Sequence, residues 1–440
     1  MKRVIKRAVS FVLVFMTVFS VFTILPSEVF HTAYVKAAEM FSSETGASAQ
    51  ETYTTDDFTY TLIDEYSKVQ ILSYIGSDAD VVIPDRIDNK KVPSIADSAF
   101  REKSITSVVF GQYVESIGNY AFYSCQSLNK LDFSKSSVKT IGNFAFTLCK
   151  SLESIEFPDS LESIGYGAFS AYRGSYVASS LKSVKFGSGL KSIADYAFYG
   201  NRALNTVNFT GVALTSIGRE SFCNIAITEL DLSGTDTSID REAFYNCNSL
   251  ETVKLSGVKT INSYAFRQCT SLETVNIGND VETIGYYAFY NNNNLKQLVL
   301  GKGLNSIDSS AFSGYKDLTV YCYEDTYGHE YAKGMSNVDI KFIHDNYYVV
   351  DLKASAVSSN SVTISWKKPN GYDAIDHYII YKNGAKYDET TDQTYTDINL
   401  KSGEEYVYGV VAVDKEGVIS EEKTVSVTPA CTSVKSITLP

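Results

Sequence analysis

The chain has 440 residues, 44% of them hydrophobic, which is enough for two or three domains with sizeable cores and too apolar for a disordered polymer. Its 51 acidic and 39 basic residues give a net charge of −12. That acidity argues against nucleic acid or anionic lipid as partners, because both are held by clustered lysine and arginine that displace counterions.

At the N-terminus, Lys2, Arg3, Lys6 and Arg7 precede an uncharged run from Ala8 to Leu25, and Val35-Lys36-Ala37 offers small residues for cleavage. This predicts an export signal over residues 1–37. A run of 18 uncharged residues could also be retained as an anchor, and no second such run follows it. Cleavage after Ala37 would leave a net charge of −16. Residues 38–57, "AEMFSSETGASAQETYTTDD", are polar and without period, and are expected to form a flexible linker.

A repeat then dominates the chain. "SIADSAF" at 94 returns as "SIGNYAF" at 116, "TIGNFAF" at 140, "SIGYGAF" at 163, "SIADYAF" at 192, "SIGRESF" at 216, "SIDREAF" at 238, "TINSYAF" at 260, "TIGYYAF" at 283 and "SIDSSAF" at 306. The terminal phenylalanines are 22 to 29 residues apart, a period that means a solenoid. Between them runs apolar-x-x-apolar-x-apolar, as in Leu128-Leu131-Phe133 and Leu250-Val253-Leu255. The last two apolar positions alternate with period two and predict a short strand that stacks coil upon coil. Ile117, Ala121, Phe122, Cys125 and Leu128 are expected inside, with Gly118 letting one coil pass close beneath the next. The motif is therefore structural, and function is expected on the variable positions.

The stretch "IGNYAFYSCQSLNKLDF" resembles the leucine-rich repeats of the BspA-like surface proteins of bacteria, the Treponema pallidum type, over residues 94–318. Residues 58–93 resemble the β-rich N-terminal cap of that family and 318–343 its closing cap, so 94–343 is expected to be the solenoid with its C-terminal cap. An insertion at Ala171–Ser180 and "GRESFCNIAIT", with Ser221 for alanine and the cysteine moved to Cys223, depart from the pattern.

Beyond the cap, Val362, Ile364 and Trp366 alternate with serine and threonine, Tyr378 and Ile380 follow, and Asn383-Gly384 reads as a hairpin turn. Leu400, Gly403 and Tyr406 are placed as in a tyrosine corner, with Tyr408, Val410 and Ala412 on one side of the next strand. Residues 348–429 thus resemble a fibronectin type III domain. The fold class expected is mainly β: a leucine-rich-repeat solenoid with a β-rich N-terminal cap, followed by an immunoglobulin-like sandwich. Residues 430–440 fit neither unit, and "VKSITLP" resembles the opening strand of a further immunoglobulin-like domain.

No HExxH, GxSxG, P-loop or paired CxxC motif occurs. Only His329, His344 and His377 would survive signal removal, and none lies in a repeat. "DLSGTD" at 231–236 lacks the ligand order of a calcium loop. No catalytic residue, metal or cofactor is expected. Four of the seven cysteines, Cys125, Cys149, Cys247 and Cys269, lie three residues after an anchor phenylalanine and are expected as buried thiols, because parallel stacked side chains do not converge as a disulfide requires.

The outward positions of the stacked strands, Lys130, Asp132, Glu156, Lys185, Asn208, Glu229, Asp231, Lys254, Asn276 and Gln297, form the candidate ligand-binding face. Tyr123, Tyr199, Tyr245 and Tyr290, each directly after an anchor phenylalanine, are candidate aromatic contacts, since tyrosine offers rigid contact area and a hydroxyl. Similarity to the BspA-like proteins implies a secreted or cell-surface, non-catalytic, adhesin-like protein, monomeric, that binds extracellular or matrix-type proteins, with the fibronectin-like domain as spacer. Two alternatives stay open: a carbohydrate- or cell-wall-binding module, and the targeting portion of a longer secreted carbohydrate-active enzyme.

Overall fold

The computed structural model describes residues 51–171, 179–344, 348–369, 375–415 and 417–429. The expected export signal, the middle of the 171–180 insertion and the tail 430–440 lie outside them. Each Ser-Ile or Thr-Ile pair of the repeat is a short parallel strand, with Ile117 beside Ile95, Ile141 beside Ile117, and so on to Ile307 beside Ile284. Together with the N-terminal cap they make one 14-stranded sheet. The apolar-x-apolar segments form a second, interrupted ribbon: Asp80–Val82, Ser107–Val109 and Lys130–Asp132, then Ser154–Glu156, Ser183–Lys185 and Thr206–Asn208, then Glu229–Asp231 onward.

Between the two ribbons the anchor phenylalanines stack face to face. Phe100, Phe122, Phe146, Phe169, Phe198, Phe222, Phe244, Phe266, Phe289 and Phe312 form one continuous spine with ring centroids 4.6–5.3 Å apart. Alanine precedes phenylalanine because the next coil leaves no room for more: Ala121, Ala145 and Ala168 are fully buried. Gly142 serves the same end in the backbone, since a Cβ there would meet the Gly118 carbonyl carbon at 2.6 Å. Tyr74 of the cap stacks on Phe100 at 5.4 Å and closes one end of the spine.

The cysteine slot has a job beyond filling space. Cys125 Sγ donates to the carbonyl of Phe100 one coil back (3.0 Å), Cys247 to Phe222 (3.3 Å) and Cys269 to Phe244 (3.3 Å). Where cysteine is absent, Asn201 donates to Phe169 (2.9 Å) and Asn292 to Phe266 (3.1 Å). In these coils a short buried donor keeps the anchor carbonyl from being left bare, which would forfeit about 1–3 kcal/mol, whereas Ile225 fills the slot in the coil whose cysteine has moved to Cys223. All six cysteines among the described residues are buried thiols. Burial pushes the Cys125 thiol up to about 12 and Cys149 and Cys247 well above their ordinary value. Native protein at pH 8 should therefore resist thiol alkylation at these six positions until unfolded, and Asn292→Val should lower stability by about 1–3 kcal/mol in a denaturation series.

The cap begins earlier than the sequence suggested. Thr52–Thr54, inside the expected linker, pairs antiparallel with Phe58–Ile63; Tyr53 stacks on Tyr60 at 5.5 Å and Thr61 donates to the Glu51 carbonyl. Threonine and tyrosine are strand formers despite their polarity, which a reading by composition overlooked. At the other end, Leu318–Cys322 and Val338–His344 pair in parallel around the helix Tyr327–Lys333, whose N-cap is Thr326. His329 is buried there, edge-on to Phe342 at 4.9 Å, as a packing residue.

The second unit is a sandwich of Val350–Ser358, Ser361–Lys367 and Thr394–Ile398 against Ala385–Thr390, Ile375–Lys382, Tyr406–Asp414 and Lys423–Val427. Trp366, Tyr378, Ile380, Tyr408, Val410 and Ala412 fill its core. Tyr406 Oη accepts from the Lys401 amide at 3.0 Å, completing the tyrosine corner. The sandwich is not a free spacer. Ile343 of the solenoid's last strand pairs in parallel with Ile419, which extends the second ribbon into the sandwich as an 11-stranded sheet. That sheet folds back: Ile379, Tyr381, Val411, Val413 and Ile419, on the outer face of the sandwich, are buried with Tyr323 and Ile343 against Val299 and Tyr321 of the solenoid.

Candidate ligand-binding face

Because successive strands pair in register, outward side chains fall into two columns along the solenoid. One holds Lys130, Ser154, Ser183, Thr206, Glu229, Thr252, Thr274 and Gln297, and the other Asp132, Glu156, Lys185, Asn208, Asp231, Lys254 and Asn276. The ten sequence candidates are thus correctly placed outward, but they do not share one environment. Lys130, Glu156, Lys185 and Asn208 are exposed, with Glu156 and Lys185 paired across adjacent strands at 2.6 Å. Asp132, Asn208 and Asp231 each accept from the amide two residues on, at 2.7–3.0 Å, and so also fix the turn that leaves the strand.

From Lys254 onward the face is roofed by the sandwich, with Asp231 on the strand before it still exposed, which corrects the expectation of one continuous ligand surface. Gln297 donates to the Tyr381 hydroxyl at 2.9 Å, Lys302 pairs with Glu421 at 3.4 Å, and the Lys254 stem lies under the hairpin turn. Gly384 suits that turn through its φ of +86°, and it lies close over Lys254, since a Cβ there would fall 2.0 Å from the Cε of that flexible stem. Thr252 is 4% exposed, and Glu229, Lys254, Asn276 and Gln297 are half-buried. Burial pushes the Glu229 carboxyl up to about 7, with Lys254 opposing and Asp231 reinforcing. Beside the contact, a polar groove of about 610 Å³ opens between Glu273, Lys296 and Tyr321 of the solenoid and Lys386, Tyr387 and Glu389 of the sandwich.

The tyrosines lie elsewhere, on the turn between the Ser-Ile strand and the outward strand. Tyr120 stacks on Phe144, Phe144 meets Tyr166 edge-on and Tyr166 meets Tyr196 at a tilt, with centroids 5.1–5.2 Å apart, and Arg267 lies over Tyr245, Tyr264 and Tyr290 at 5.3–5.8 Å. Tyr120, Phe144, Tyr196, Tyr264 and Tyr287 all take positive φ, a strained state for bulky residues that ring contacts offset. Of the four candidates, Tyr123, Tyr245 and Tyr290 are half-buried, Tyr123 beneath Arg101 at 5.1 Å. Tyr199 is only 8% exposed, folded on Tyr196 at 5.8 Å, and is withdrawn as a contact residue. Much of the ring surface on this ridge is turned to neighbouring rings or guanidinium groups, which leaves less of it for a sugar.

A family model for the BspA type leucine rich repeat region, in six copies, matches residues 93–211, 172–261 and 237–360. The chain belongs to the BspA-type leucine-rich-repeat family. A fibronectin type III model matches residues 348–428 behind the BspA-type solenoid. Families of these two kinds are typically non-catalytic binding modules. Among solved structures, the leucine-rich repeat protein TpLRR of T. pallidum is 22% identical, over 60% of this chain and 89% of its own, with a TM-score of 0.27. A leucine rich cell surface protein of Faecalibacterium prausnitzii is 19% identical, over 66% and 98%, at 0.30. The pneumococcal vaccine antigen PcpA is 20% identical, over 62% and 82%, at 0.36. No curated protein sequence matches the chain. Among the described residues no helix is long and apolar enough to cross a membrane, and no group of three or more histidine, cysteine or acidic side chains is arranged to hold a metal.

Proposed function

We propose that this BspA-type protein is an exported, non-catalytic binding protein that takes an extracellular or surface macromolecule on the open half of its strand face, from Ser107–Val109 to Thr206–Asn208. One observation carries this reading: the recurrent residues of the coil serve packing, the phenylalanines in the spine and the cysteine or asparagine slot on the anchor carbonyls, whereas the outward columns vary from coil to coil. A flat, mixed-charge face of this kind sums many modest contacts, and its partner is a protein surface rather than a small molecule. The solved relative described as a cell surface protein supports the same location for this chain. The test is a binding screen of the full chain on matrix proteins and on a glycan array, repeated with Lys130, Glu156, Lys185 and Asn208 all changed to alanine. The expected result is capture of a protein ligand that the fourfold variant loses by at least tenfold in affinity. Unchanged binding by the variant, or hits confined to glycans, would contradict it.

A further inference from the structure

The seam between solenoid and sandwich is apolar along Val299, Tyr321, Tyr323 and Ile343, but one end of it holds charge that its surroundings do not balance. Glu422, between the strands Ile419–Ser420 and Lys423–Val427, lies so close to Gly409 that a Cβ there would be 1.8 Å from its Oε1. That oxygen is buried and has no hydrogen-bond partner among the described residues. Facing it across the seam are Asp231 of one solenoid strand and Lys254 of the next, with Glu229 beside them on the Asp231 strand. Two partly buried carboxylates, Glu229 and Glu422, therefore share one lysine, while Asp231 is exposed. The other charges that the sandwich brings to the seam are matched locally: Glu421 with Lys302 at 3.4 Å and Glu389 with Lys386 at 2.5 Å. Of the phenols there, Tyr381 and Tyr321 stay neutral, since burial raises both, and Tyr323 donates to Glu421 at 3.5 Å.

We infer that this seam is a pH-gated closure, in which the fibronectin-type domain covers the solenoid face from Lys254 to Gln297 while Glu422, and Glu229 at the edge of the covered stretch, are neutral and is released when both are charged. Burial raises both carboxyls in the closed form, with Lys254 lowering and Asp231 adding to the rise in each. The sign follows from linkage. A carboxyl whose closed-state value lies above its open-state value binds its proton on closure, so closure is favoured in acid. It weakens as pH climbs from the ordinary carboxylate range towards about 7, where Glu229 titrates in the closed form. Each unit of displacement shifts the closed-to-open ratio by about tenfold. Exposure of the second half of the strand face would then respond to the surroundings, whatever the first half binds.

The device can be read without any ligand. Val299→Cys places a thiol in the seam, and Ser188→Cys places one on the exposed surface; the native thiols are buried. The measurement is the rate of reaction with a pyridyl disulfide, taken as the ratio of the two variants so that thiolate chemistry cancels. Between pH 5.5 and pH 8 that ratio should rise by about 10- to 100-fold. In the Glu229→Gln/Glu422→Gln background it should stay low and flat, with Cys269 unreactive throughout as the check that the solenoid remains folded. A flat ratio in the parent chain, or the same rise in the double glutamine background, would overturn the inference. Either failure leaves the binding reading untouched, because no partner enters the assay.

Discussion

Phe244→Ala should destabilise the solenoid by about 3–5 kcal/mol in a denaturant series, whereas Lys130→Ala should stay within about 0.5 kcal/mol. Phe244 is fully buried and holds two stacking neighbours, Phe222 at 5.3 Å and Phe266 at 5.2 Å, so removing its ring empties a segment of the spine and strips a contact from each adjacent coil. Because a coil contacts mainly its neighbours, the loss falls on the interfaces either side of Phe244 and couples to the whole stack through them. The thiol of Cys269, which donates to the Phe244 carbonyl at 3.3 Å, should become the first of the native cysteines to react in this variant. Equal effects of the two substitutions would mean that the spine is not what holds the coils together.

Lys382→Met should destabilise the fibronectin-type domain by a similar amount, about 3–5 kcal/mol, for an electrostatic reason. Asp397 is 3% exposed and is held by Lys382 at 2.8 Å, Tyr408 Oη at 2.6 Å and Tyr387 Oη at 3.0 Å. Burial alone would raise its carboxyl, but the lysine and the two phenols reverse this and hold it below the usual carboxylate range. A carboxyl lowered in the folded state adds stability above its unfolded value, near 3.9, and loses it as pH falls through the folded value. The gap between parent and Lys382→Met should thus be full at pH 7 and shrink below pH 4. Thermal melts at the two pH values check it, and a gap independent of pH would show that lysine packing, not charge, is responsible.

The solenoid was legible because its period is enforced by shape: each coil must offer side chains that pack on their own copies in the next, so phenylalanine and isoleucine recur and can be counted. The outward placement of Lys130 to Gln297 followed from period-two alternation. What alternation could not give was the seam. Alternation places Tyr378 and Ile380, then Tyr408, Val410 and Ala412, on the buried face of two sandwich strands and gives the residues between them no partner. Yet Ile379, Tyr381, Val411 and Val413 make those strands continuous apolar runs, which is how a sheet covered on both faces reads. That signal was present, and it announced a second covering layer without naming it. Tyr199 shows that identical motif positions do not impose identical exposure: it is buried, while Tyr123 and Tyr290 stay half-buried although they meet their own turn tyrosines at 5.7 and 4.4 Å, against 5.8 Å for Tyr199. Asn201 and Asn292 show the reverse, two side chains unlike cysteine in size and polarity performing its one hydrogen bond.

The central claim, that the open half of the strand face carries the function, is tested most directly by hydrogen exchange on the full chain with and without the partner recovered from the screen. The account predicts new protection in Ser107–Val109, Lys130–Asp132, Ser154–Glu156, Ser183–Lys185 and Thr206–Asn208, and none on the turn that carries Tyr245 and Tyr290. Protection confined to that tyrosine turn or to the fibronectin-type domain, with the five strands unchanged, would contradict it.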